Sequence, residues 1–288
     1  MDGMRIDLHT HSNVSDGTET PAGVMAAAKA AGLDVVALTD HDSTAGWDQA
    51  AQRAGELGIT LVRGTELSAR SRGITVHLLS YLQDPSYQEL AEMMRRITAA
   101  RWERAEAMVA KLAAAFPITW EAVAARAGSG RPVGRPHIAD ELVAQGVAAS
   151  RSEAFERLLH PRGPYYVRYW SVEAADAVEL IRRAGGVPVL AHPGATGRQK
   201  IIDDGGIGQM VAAGLAGLEV RHRDNPPDQR KRLAGLAQRH GLLQTGASDY
   251  HGTGKPNRLG ENLTDQPTLA EIVRQGAIPL VGGDSWAP

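Results

Sequence analysis

The chain begins with a short apolar run that ends in two histidines, Arg5-Ile6-Asp7-Leu8-His9-Thr10-His11-Ser12 at residues 5–12. Residues 5–9 have the composition of a β-strand. Side chains two positions apart in a strand point to the same face, so His9 and His11 can reach one metal ion, and Asp7 shares their face. A lone His-x-His pair is as compatible with a packed core as with a metal site. Whether this pair marks a metal site therefore depends on which side chains lie at the ends of the following strands.

Helices and strands alternate along most of the remaining chain. Before the middle of the sequence, the pattern predicts helices at 20–32 and 44–57 and strands at 35–39, 59–62 and 74–81. After it, the pattern predicts helices at 171–183, 226–240 and from 268 onward, and strands at 187–191, 215–220, 242–246 and 278–281. Strands that alternate with helices form parallel β-α-β units, and about seven of them favour a closed or nearly closed barrel.

Residues 86–170 interrupt this alternation. The segments 87–116, 120–127 and 138–145 have helical composition, with loops at 128–132 and 160–164 and no strand signal. We therefore expect a helical insertion at 86–170 between the first part of the barrel, 1–85, and its second part, 171–288.

Composition excludes several classes of protein. The 288 residues carry 31 Lys and Arg against 33 Asp and Glu, so bulk positive charge cannot hold this chain to long nucleic acid, although a short or terminal piece remains possible. The absence of Cys excludes disulfides, thiolate zinc sites, iron–sulfur clusters and a Cys nucleophile. No run of about 18 apolar residues and no secretory leader is evident, so we expect a cytoplasmic protein without a membrane span, and nothing predicts a protein partner.

Most of the predicted strands deliver a histidine or a carboxylate at or near their C-terminal ends, the exceptions being those at 215–220 and 278–281. In a parallel barrel those ends converge on one face, where active sites lie. Each residue alone has an ordinary explanation, such as a turn at Asp16 or a core position for His77, but the set as a whole has none. The nine candidate metal ligands are His9, His11, Asp16, His41, Glu66, His77, His192, Asp249 and His251.

Nine ligands are too many for one ion and suit two or three, with Glu66 as a bridge. Imidazole and carboxylate ligands without sulfur favour Mn²⁺, Zn²⁺ or Fe²⁺. Ions ~3.5 to 4 Å apart generate a hydroxide at neutral pH and hold both the attacking and the leaving oxygen of an in-line displacement at phosphorus. The sequence therefore predicts hydrolysis of a phosphate ester by in-line attack of a metal-bound hydroxide, with Asp249 in the catalytic set.

Five further residues are candidates for binding the substrate. In the insertion, Arg135 can grip a phosphate bidentately and His137 can add a contact, the alternatives being a solvated arginine and a histidine that caps the following helix. His222 ends the strand at 215–220 and is a candidate catalytic residue, as a substrate contact or as the acid that protonates the leaving group. Arg198 and Lys255 lie in loops just past candidate ligands and are candidates for phosphate contacts.

The motifs at 7–12, 15–17, 38–42, 64–66, 191–193 and 246–252, together with His77, resemble the complete motif set of the polymerase and histidinol phosphatase (PHP) superfamily. The resemblance implies a distorted (β/α)7 TIM-like barrel and a trinuclear metal centre. By this resemblance, one ion is bound by His9, His11, Glu66 and Asp249, a second by Glu66, His77 and His192, and a third by Asp16, His41 and His251.

The segments 134–139, 158–167 and 184–193 resemble the PHP branch of small nucleotide phosphoesterases. Members of that branch remove the 3′-phosphate of nucleoside 3′,5′-bisphosphates, act as 5′→3′ exonucleases on short RNA, or dephosphorylate nucleoside monophosphates, and their insertion supplies phosphate-binding groups. The expected partner is thus a small phosphorylated nucleotide or a short oligonucleotide end. Phosphatase action on a nucleoside monophosphate or on histidinol phosphate is an alternative within the enzyme class. A non-catalytic PHP module that only binds metal is an alternative from another class, against which the intact ligand set argues.

Overall fold

The computed structural model describes residues 3–128, 133–197 and 200–282. The chain divides into two compact units, which we call the barrel unit (1–94 with 172–288) and the helical unit (95–171). The described strands are β1 Ile6–Asp7, β2 Val35–Leu38, β3 Thr60–Ser71, β4 Ile74–Tyr81, β5 Val172–Glu173, β6 Val187–Ala191, β7 Gly217–Arg221 and β8 Leu243–Gly246. The described helices are α1 Pro21–Ala30, α2 Trp47–Leu57, α3 Gln88–Ala113, α4 Trp120–Ala127, α5 Arg135–Ala144, α6 Arg151–Arg157, α7 Ala174–Arg183, α8 Asp204–Ala212, α9 Pro227–His240 and α10 Gln266–Gln275.

Seven strands of the barrel unit form one nearly closed sheet in the order β1-β2-β3-β4-β6-β7-β8, and the short β5 pairs with β3. The two ends of this sheet approach each other, because Thr10 after β1 forms a parallel bridge with Tyr250 after β8. The predicted α/β fold, a distorted (β/α)7 barrel, is confirmed.

One strand runs against the others, which corrects the expectation of parallel strands throughout. β4 is antiparallel to both β3 and β6. A two-residue turn joins β3 to β4, with Arg72 at φ 51° and Gly73 at φ 77°, the left-handed conformation that tight hairpins require. His77 lies in the first half of β4 and pairs with Ala191, the last residue of β6. The reversal therefore brings His77 to the edge where the parallel strands end.

Alternating side chains of the strands pack on opposite sides of the sheet. Val35 and Ala37 of β2 belong to the hydrophobic cluster inside the barrel, with Ile6, Leu8 and Val189. Val36 and Leu38 instead pack outside, against Val24 and Met25 of α1 and Ala50 of α2. This period of two is the one expected for strands covered on both faces, and it fixes which strand residues can reach the barrel mouth.

The predicted strand at 278–281 is wrong. Among the described residues of this segment, the only ladder contact is an isolated bridge between Val281 and Leu61. Pro279 lacks the backbone N–H that a continuous ladder needs. None of the helices within the described ranges is long and apolar enough to cross a membrane.

The helical unit has a hydrophobic core of its own. Buried side chains of α3 recur at helical spacing, at Ala105, Met108, Val109 and Leu112. The rings of Trp102 and Trp120 pack edge to face with centroids 5.3 Å apart, which agrees with a packing role for Trp102. α5 begins at Arg135, three residues earlier than predicted, and α6 was not predicted.

Candidate metal centre

The barrel unit brings all nine candidate ligands into one connected network. His9 and His11 follow β1, His41 follows β2, and Asp249 and His251 follow β8. Glu66 lies within β3 rather than after it, because β3 extends to Ser71. Most of the set is fully buried, whereas the side chains of Asp16 and His77 are 13% and 25% exposed. The network is therefore open to solvent on the side of these two residues.

Glu66 stands at the middle of this network. Its Oε1 lies 2.9 Å from Nδ1 of His77 and 3.1 Å from Nε2 of His192. Its Oε2 lies 3.3 Å from Nε2 of His9, 3.1 Å from Nε2 of His11 and 3.2 Å from Nδ1 of His41. The two carboxylate oxygens thus face two different sets of imidazoles, which is the arrangement of a carboxylate that bridges two cations.

Asp249 and Asp16 extend the network away from Glu66. Oδ1 of Asp249 lies 3.6 Å from Nε2 of His9 and 3.5 Å from Nε2 of His11. Oδ1 of Asp16 lies 3.1 Å from Nε2 of His251, and its Oδ2 lies 4.0 Å from Nε2 of His41. These contacts are compatible with the three ligand sets that the family resemblance implies.

Three groups of ligand atoms lie within 4.8 Å of one another: His9, His11 and Glu66; His41, Glu66 and His77; and His11, Asp16, His41 and His251. The grouping differs in detail from the implied sets, since His41 rather than His192 joins Glu66 and His77. His11, His41 and Glu66 each belong to two groups. The ligands are therefore shared between neighbouring positions, as expected for ions a few ångströms apart.

The protonation pattern of the histidines fits metal ions. Nδ1 of His9 donates a hydrogen bond to Oε1 of Glu219 at 3.0 Å, and Nδ1 of His251 donates to the backbone carbonyl of Asp249 at 2.9 Å. Each bond fixes the proton on Nδ1 and leaves a lone pair on Nε2. Within the described ranges, Nε2 of His251 and Oδ1 of Asp16 are buried, 3.1 Å apart, without a hydrogen-bond partner of good geometry. Two acceptor atoms that face each other in this way can both bind one cation.

The pKa values of His9 and His11 show an excess of negative charge around these two imidazoles. Burial lowers the pKa of His9, but the carboxylates of Glu66, Glu219 and Asp249 outweigh it and raise this pKa well above its usual range. Burial also opposes protonation of His11, and its hydrogen bonds with Asp249 and Glu66 nevertheless raise its pKa to about 9. In the metal-free protein, protons on these imidazoles thus take the place of cations.

Carboxylates around the ligands hold them in position. Asp40 accepts hydrogen bonds from the backbone N–H of Ser12 at 2.8 Å and from the hydroxyls of Ser12 and Ser15, both at 2.6 Å, which fixes the loop that carries Asp16. Asp7 accepts from the backbone N–H groups of Ser248 and Gly260 at 3.0 and 2.9 Å and so ties β1 to the loop that carries Asp249. Burial raises the pKa of Asp7 to about 6.

Two candidate ligands have left-handed backbone conformations, His192 at φ 31° and Asp249 at φ 55°. Residues other than glycine avoid this region unless their surroundings impose it, and such residues cluster at functional sites. At His192 one such constraint is the hydrogen bond that its backbone N–H donates to Oε2 of Glu219 at 2.7 Å.

Two of the predicted substrate residues adjoin the ligands. Nζ of Lys255 lies 3.0 Å from Oδ2 of Asp249, and Nε2 of His222 lies 3.6 Å from the same oxygen. The backbone N–H of Asp224 donates to Nδ1 of His222 at 3.1 Å, so the proton of a neutral His222 ring is on Nε2. His222 therefore presents an N–H group beside Asp249.

Two of the other predicted substrate residues belong to the helical unit. Arg135, at the first position of α5, is part-buried rather than solvated, with its guanidinium over the rings of Phe155 and Tyr166 at 5.3 and 5.8 Å. Nδ1 of His137 accepts from the backbone N–H of Gly134 at 3.0 Å and caps α5, the alternative considered from the sequence. Arg198 lies outside the described residues.

Similarity to known proteins extends over almost the whole chain. A model of the PHP domain matches residues 7–126. A 3′,5′-nucleoside bisphosphate phosphatase of Chromobacterium violaceum is 35% identical over 269 residues, which are 93% of this chain and 94% of that protein. The chain belongs to the PHP family.

Two further proteins resemble this PHP protein along its length. A 5′-3′ exoribonuclease of Haemophilus influenzae is 33% identical over 265 residues, 90% of this chain and 94% of that protein. A solved structure from Bifidobacterium adolescentis, described as a candidate metal-dependent phosphoesterase, matches with a TM-score of 0.92 and 45% identity over 96% of this chain and 98% of that one. The resemblance predicted from the motifs is confirmed, and with it the enzyme class, a metal-dependent phosphoesterase.

Glu219 of this PHP protein is the site residue that sequence reasoning missed. It lies on β7, one of the strands expected to carry no metal ligand, and it is fully buried. Its carboxylate orients His9 and accepts from the backbone of His192. A single glutamate within an apolar run, Gly217-Leu218-Glu219-Val220, was the available signal, since a carboxylate is rarely buried without a partner.

Proposed function

We propose that this PHP protein hydrolyses a phosphate monoester of a small nucleotide, and that its main reaction removes the 3′-phosphate of a nucleoside 3′,5′-bisphosphate. The observation that carries the proposal is the position of Glu66, whose two oxygens face two sets of imidazoles 2.9–3.3 Å away. A site with shared ligands suits displacement at phosphorus. Similarity over the full length to a bisphosphate phosphatase supports the substrate class.

The donor set suits two to three divalent ions, Mn²⁺, Zn²⁺ or Fe²⁺, because it combines imidazoles with carboxylates and contains no sulfur. The residues that would hold them are His9, His11, Asp16, His41, Glu66, His77, His192, Asp249 and His251. Bound ions of this kind lower the pKa of water to near neutrality and neutralise the phosphate oxygens in the transition state.

Residues of the chain prepare the site for this chemistry. Glu219 keeps a proton of His9 on Nδ1, so that Nε2 would be free to bind an ion. Asp249 links the ligands to the substrate groups, because its Oδ1 faces His9 and His11 while its Oδ2 faces Lys255. The part-exposed side of the site, at Asp16 and His77, is where a phosphate enters.

Of the two roles predicted for His222, the geometry supports a substrate contact. Its Nδ1 accepts from the backbone, so Nε2 carries the only proton of a neutral ring. Nε2 of His222 can therefore donate a hydrogen bond to a phosphate oxygen. Nζ of Lys255, beside the same carboxylate, is a further candidate donor to the leaving oxygen.

The same site would also serve a 5′→3′ exonuclease that acts on short RNA, as the similarity to the H. influenzae enzyme suggests. Nucleoside monophosphates and histidinol phosphate are weaker candidates, because the chain carries a helical unit with arginines suited to a further phosphate. A non-catalytic metal module would not require nine intact ligands. The cytoplasmic location stays a prediction.

A substrate competition tests this proposal. The full chain loaded with Mn²⁺ is offered adenosine 3′,5′-bisphosphate, adenosine 5′-monophosphate, histidinol phosphate and a 5′-phosphorylated short RNA, and products are measured separately. We expect the bisphosphate to be consumed first, with release of its 3′-phosphate, and no release after chelation. No phosphate release from any nucleotide would refute the proposal, and preference for histidinol phosphate would reassign the substrate.

A further inference from the structure

The loop between β7 and α9 contains a buried amide, that of Asn225, which is 1% exposed. Its Nδ2 donates to the backbone carbonyls of Glu219 at 2.9 Å and of Val220 at 3.2 Å. Its Oδ1 accepts from the backbone N–H of Gly194, in the loop after β6, at 3.0 Å. Since β6 and β7 are neighbours in the sheet, the side chain of Asn225 joins two segments that leave the same edge of the barrel.

Each of these two segments carries a histidine of the site. His192 follows β6 directly, and His222 follows β7 directly. Both rings are buried, with their centroids 5.4 Å apart. Nε2 of His192 faces Glu66 at 3.1 Å, whereas Nε2 of His222 faces Asp249 at 3.6 Å. Asn225 thus lies behind a pair that consists of a candidate metal ligand and a candidate substrate contact.

The position of His222 depends on its backbone, because the ring is held from one side only. Nε2 of the ring is buried without a hydrogen-bond partner in the described part of the chain, and Nδ1 accepts from the backbone N–H of Asp224 at 3.1 Å. The carbonyl of His222 accepts from the backbone N–H of Asn225 at 3.2 Å. The bonds that fix the turn at 222–225 therefore also fix the ring.

Arg230 of α9 holds this turn from its other side. Nε of Arg230 donates to the carbonyl of Asn225 at 2.8 Å, and Nη2 donates to the carbonyl of His222 at 2.7 Å. Hydrogen bonds from a charged donor are stronger than those between neutral groups. One guanidinium thus binds both ends of the turn to α9, while the side chain of Asn225 binds the turn to the loop after β6.

The loop after β6 approaches α9 as closely as a glycine allows. A Cβ atom on Gly194 would lie 2.7 Å from Cβ of Gln229 on α9 and 3.0 Å from Oδ1 of Asn225. A larger residue would therefore displace the loop or the helix. Close packing at Gly194 and the amide of Asn225 together set the distance between the two segments.

We propose that Asn225, assisted by Arg230, is a positioning residue for His222: it sets the distance of this ring from His192, so that a phosphate bound by His222 lies next to the metal ligands. The inference rests on the proposed function for the roles of the two histidines. Asn225 and Arg230 bind backbone groups of the site, so they act through His222 and not on the substrate.

A double-mutant cycle with His222→Ala separates positioning from a merely structural role. The Mn²⁺-loaded full chain is assayed for phosphate release from adenosine 3′,5′-bisphosphate, and the metal content of each variant is measured. We expect Asn225→Ala to lower kcat/KM by about 10- to 100-fold, because misplacing a group by about an ångström costs up to about a hundredfold. In the His222→Ala background the same change should cost no more than about twofold, since the group that Asn225 positions is gone.

A second readout depends on neither metal nor turnover. In ¹⁵N spectra of the metal-free full chain labelled on histidine, the ring nitrogens of His222 are identified by their absence in His222→Ala. They should shift in Asn225→Ala, whereas those of His160, in the helical unit, should not. Asn262→Ala, at a part-buried position of the loop before α10, is the matched control and should leave both turnover and the His222 signals as in the wild type.

A loss of kcat/KM from Asn225→Ala that is equal with and without His222 would overturn the proposal, and so would unshifted ring nitrogens of His222. Should Asn225→Ala fail to fold, as judged by circular dichroism, Arg230→Gln takes its place under the same criteria, because Arg230 is part-buried and holds the same turn. The proposed function fails on a different result, the absence of phosphate release by the metal-loaded wild type. In that case the shift of the His222 nitrogens still decides the positioning role.

Discussion

Glu219 is the residue on which the orientation of two ligands depends. Its Oε1 accepts from Nδ1 of His9 and its Oε2 from the backbone N–H of His192. Glutamine at this position keeps the shape but provides only one acceptor oxygen and no charge. Residues behind metal ligands typically contribute 10- to 100-fold to metal affinity.

We therefore expect Glu219→Gln to weaken binding of Mn²⁺ by about 10- to 100-fold. The measurement is metal retention against a competing chelator, which does not depend on turnover. Glu271→Gln, at a part-buried position of α10 where the carboxylate pairs with Arg274, is the control and should retain metal like the wild type. Retention in Glu219→Gln equal to that of the control would show that Glu219 does not act on the metal centre.

The raised pKa of His11 predicts how metal binding depends on pH. Burial alone would lower this pKa, but Asp249 and Glu66 raise it to about 9, so the metal-free protein keeps a proton on His11 through neutral pH. A metal ion must displace that proton. Affinity for Mn²⁺ should therefore rise between pH 6 and pH 9, by up to about tenfold per unit for each displaced proton, and level off above pH 9. Calorimetry in buffers of different ionisation enthalpy measures the released protons, and an affinity that stays flat or falls over this range would contradict the expectation.

The loop between β1 and α1 depends on one buried carboxylate for its shape. Asp40 accepts three hydrogen bonds from Ser12 and Ser15. Hydrogen bonds to a charged group each contribute about 1.5 to 3 kcal/mol, and a donor left buried without an acceptor costs about 1 to 3 kcal/mol. This loop carries Asp16, so its order determines whether the third ligand set forms.

Replacing Asp40 with Ala should lower the free energy of unfolding of the metal-free protein by about 2 to 4 kcal/mol. Denaturant unfolding followed by circular dichroism measures this change. Asp48→Ala, at an exposed position of α2, should cost less than about 1 kcal/mol. A loss for Asp40→Ala no larger than that of Asp48→Ala would mean that the loop is held in another way.

The elements differ in how well the sequence predicts them. The bounds of β4 and the end of α2 at Leu57 are as expected, because an apolar run between turn residues and a glycine after a helix are strong local signals. The direction of β4 could not be predicted, because an apolar run looks the same in a parallel and in an antiparallel strand. The two-residue link at Arg72-Gly73 was the evidence for a hairpin.

Site residues follow the same rule. That His9 and His11 lie side by side was predictable, because their spacing has a geometric meaning. Glu219 is a single residue whose role depends on partners distant in sequence, and no local pattern distinguishes it from other glutamates. The sequence left two roles open for His137, a phosphate contact and a helix cap. The capping role rests on the hydrogen bond from the backbone N–H of Gly134 to Nδ1 of His137, which only the structure shows.

Over the whole molecule, closure of the sheet is what assembles the candidate metal centre. The bridge between Thr10 and Tyr250 joins segments 240 positions apart and sets His11 beside His251, with ring centroids 4.2 Å apart. A barrel that closes in this way brings candidate ligands from both ends of the chain next to Glu66. Glu66 itself lies on β3, which comes between those ends in the sequence. We propose that this one carboxylate bridges metal ions that hydrolyse a phosphate ester.

The most direct test is the rate of phosphate release from adenosine 3′,5′-bisphosphate by Glu66→Gln, measured with its metal content and next to Glu56→Gln, an exposed change on α2. Since residues behind the ligands contribute 10- to 100-fold to affinity or activity, loss of the bridge itself should reduce turnover by more than about a hundredfold and leave fewer ions bound. Glu56→Gln should match the wild type in both. Turnover of Glu66→Gln within tenfold of the wild type, with its metal content unchanged, would contradict the central role of Glu66.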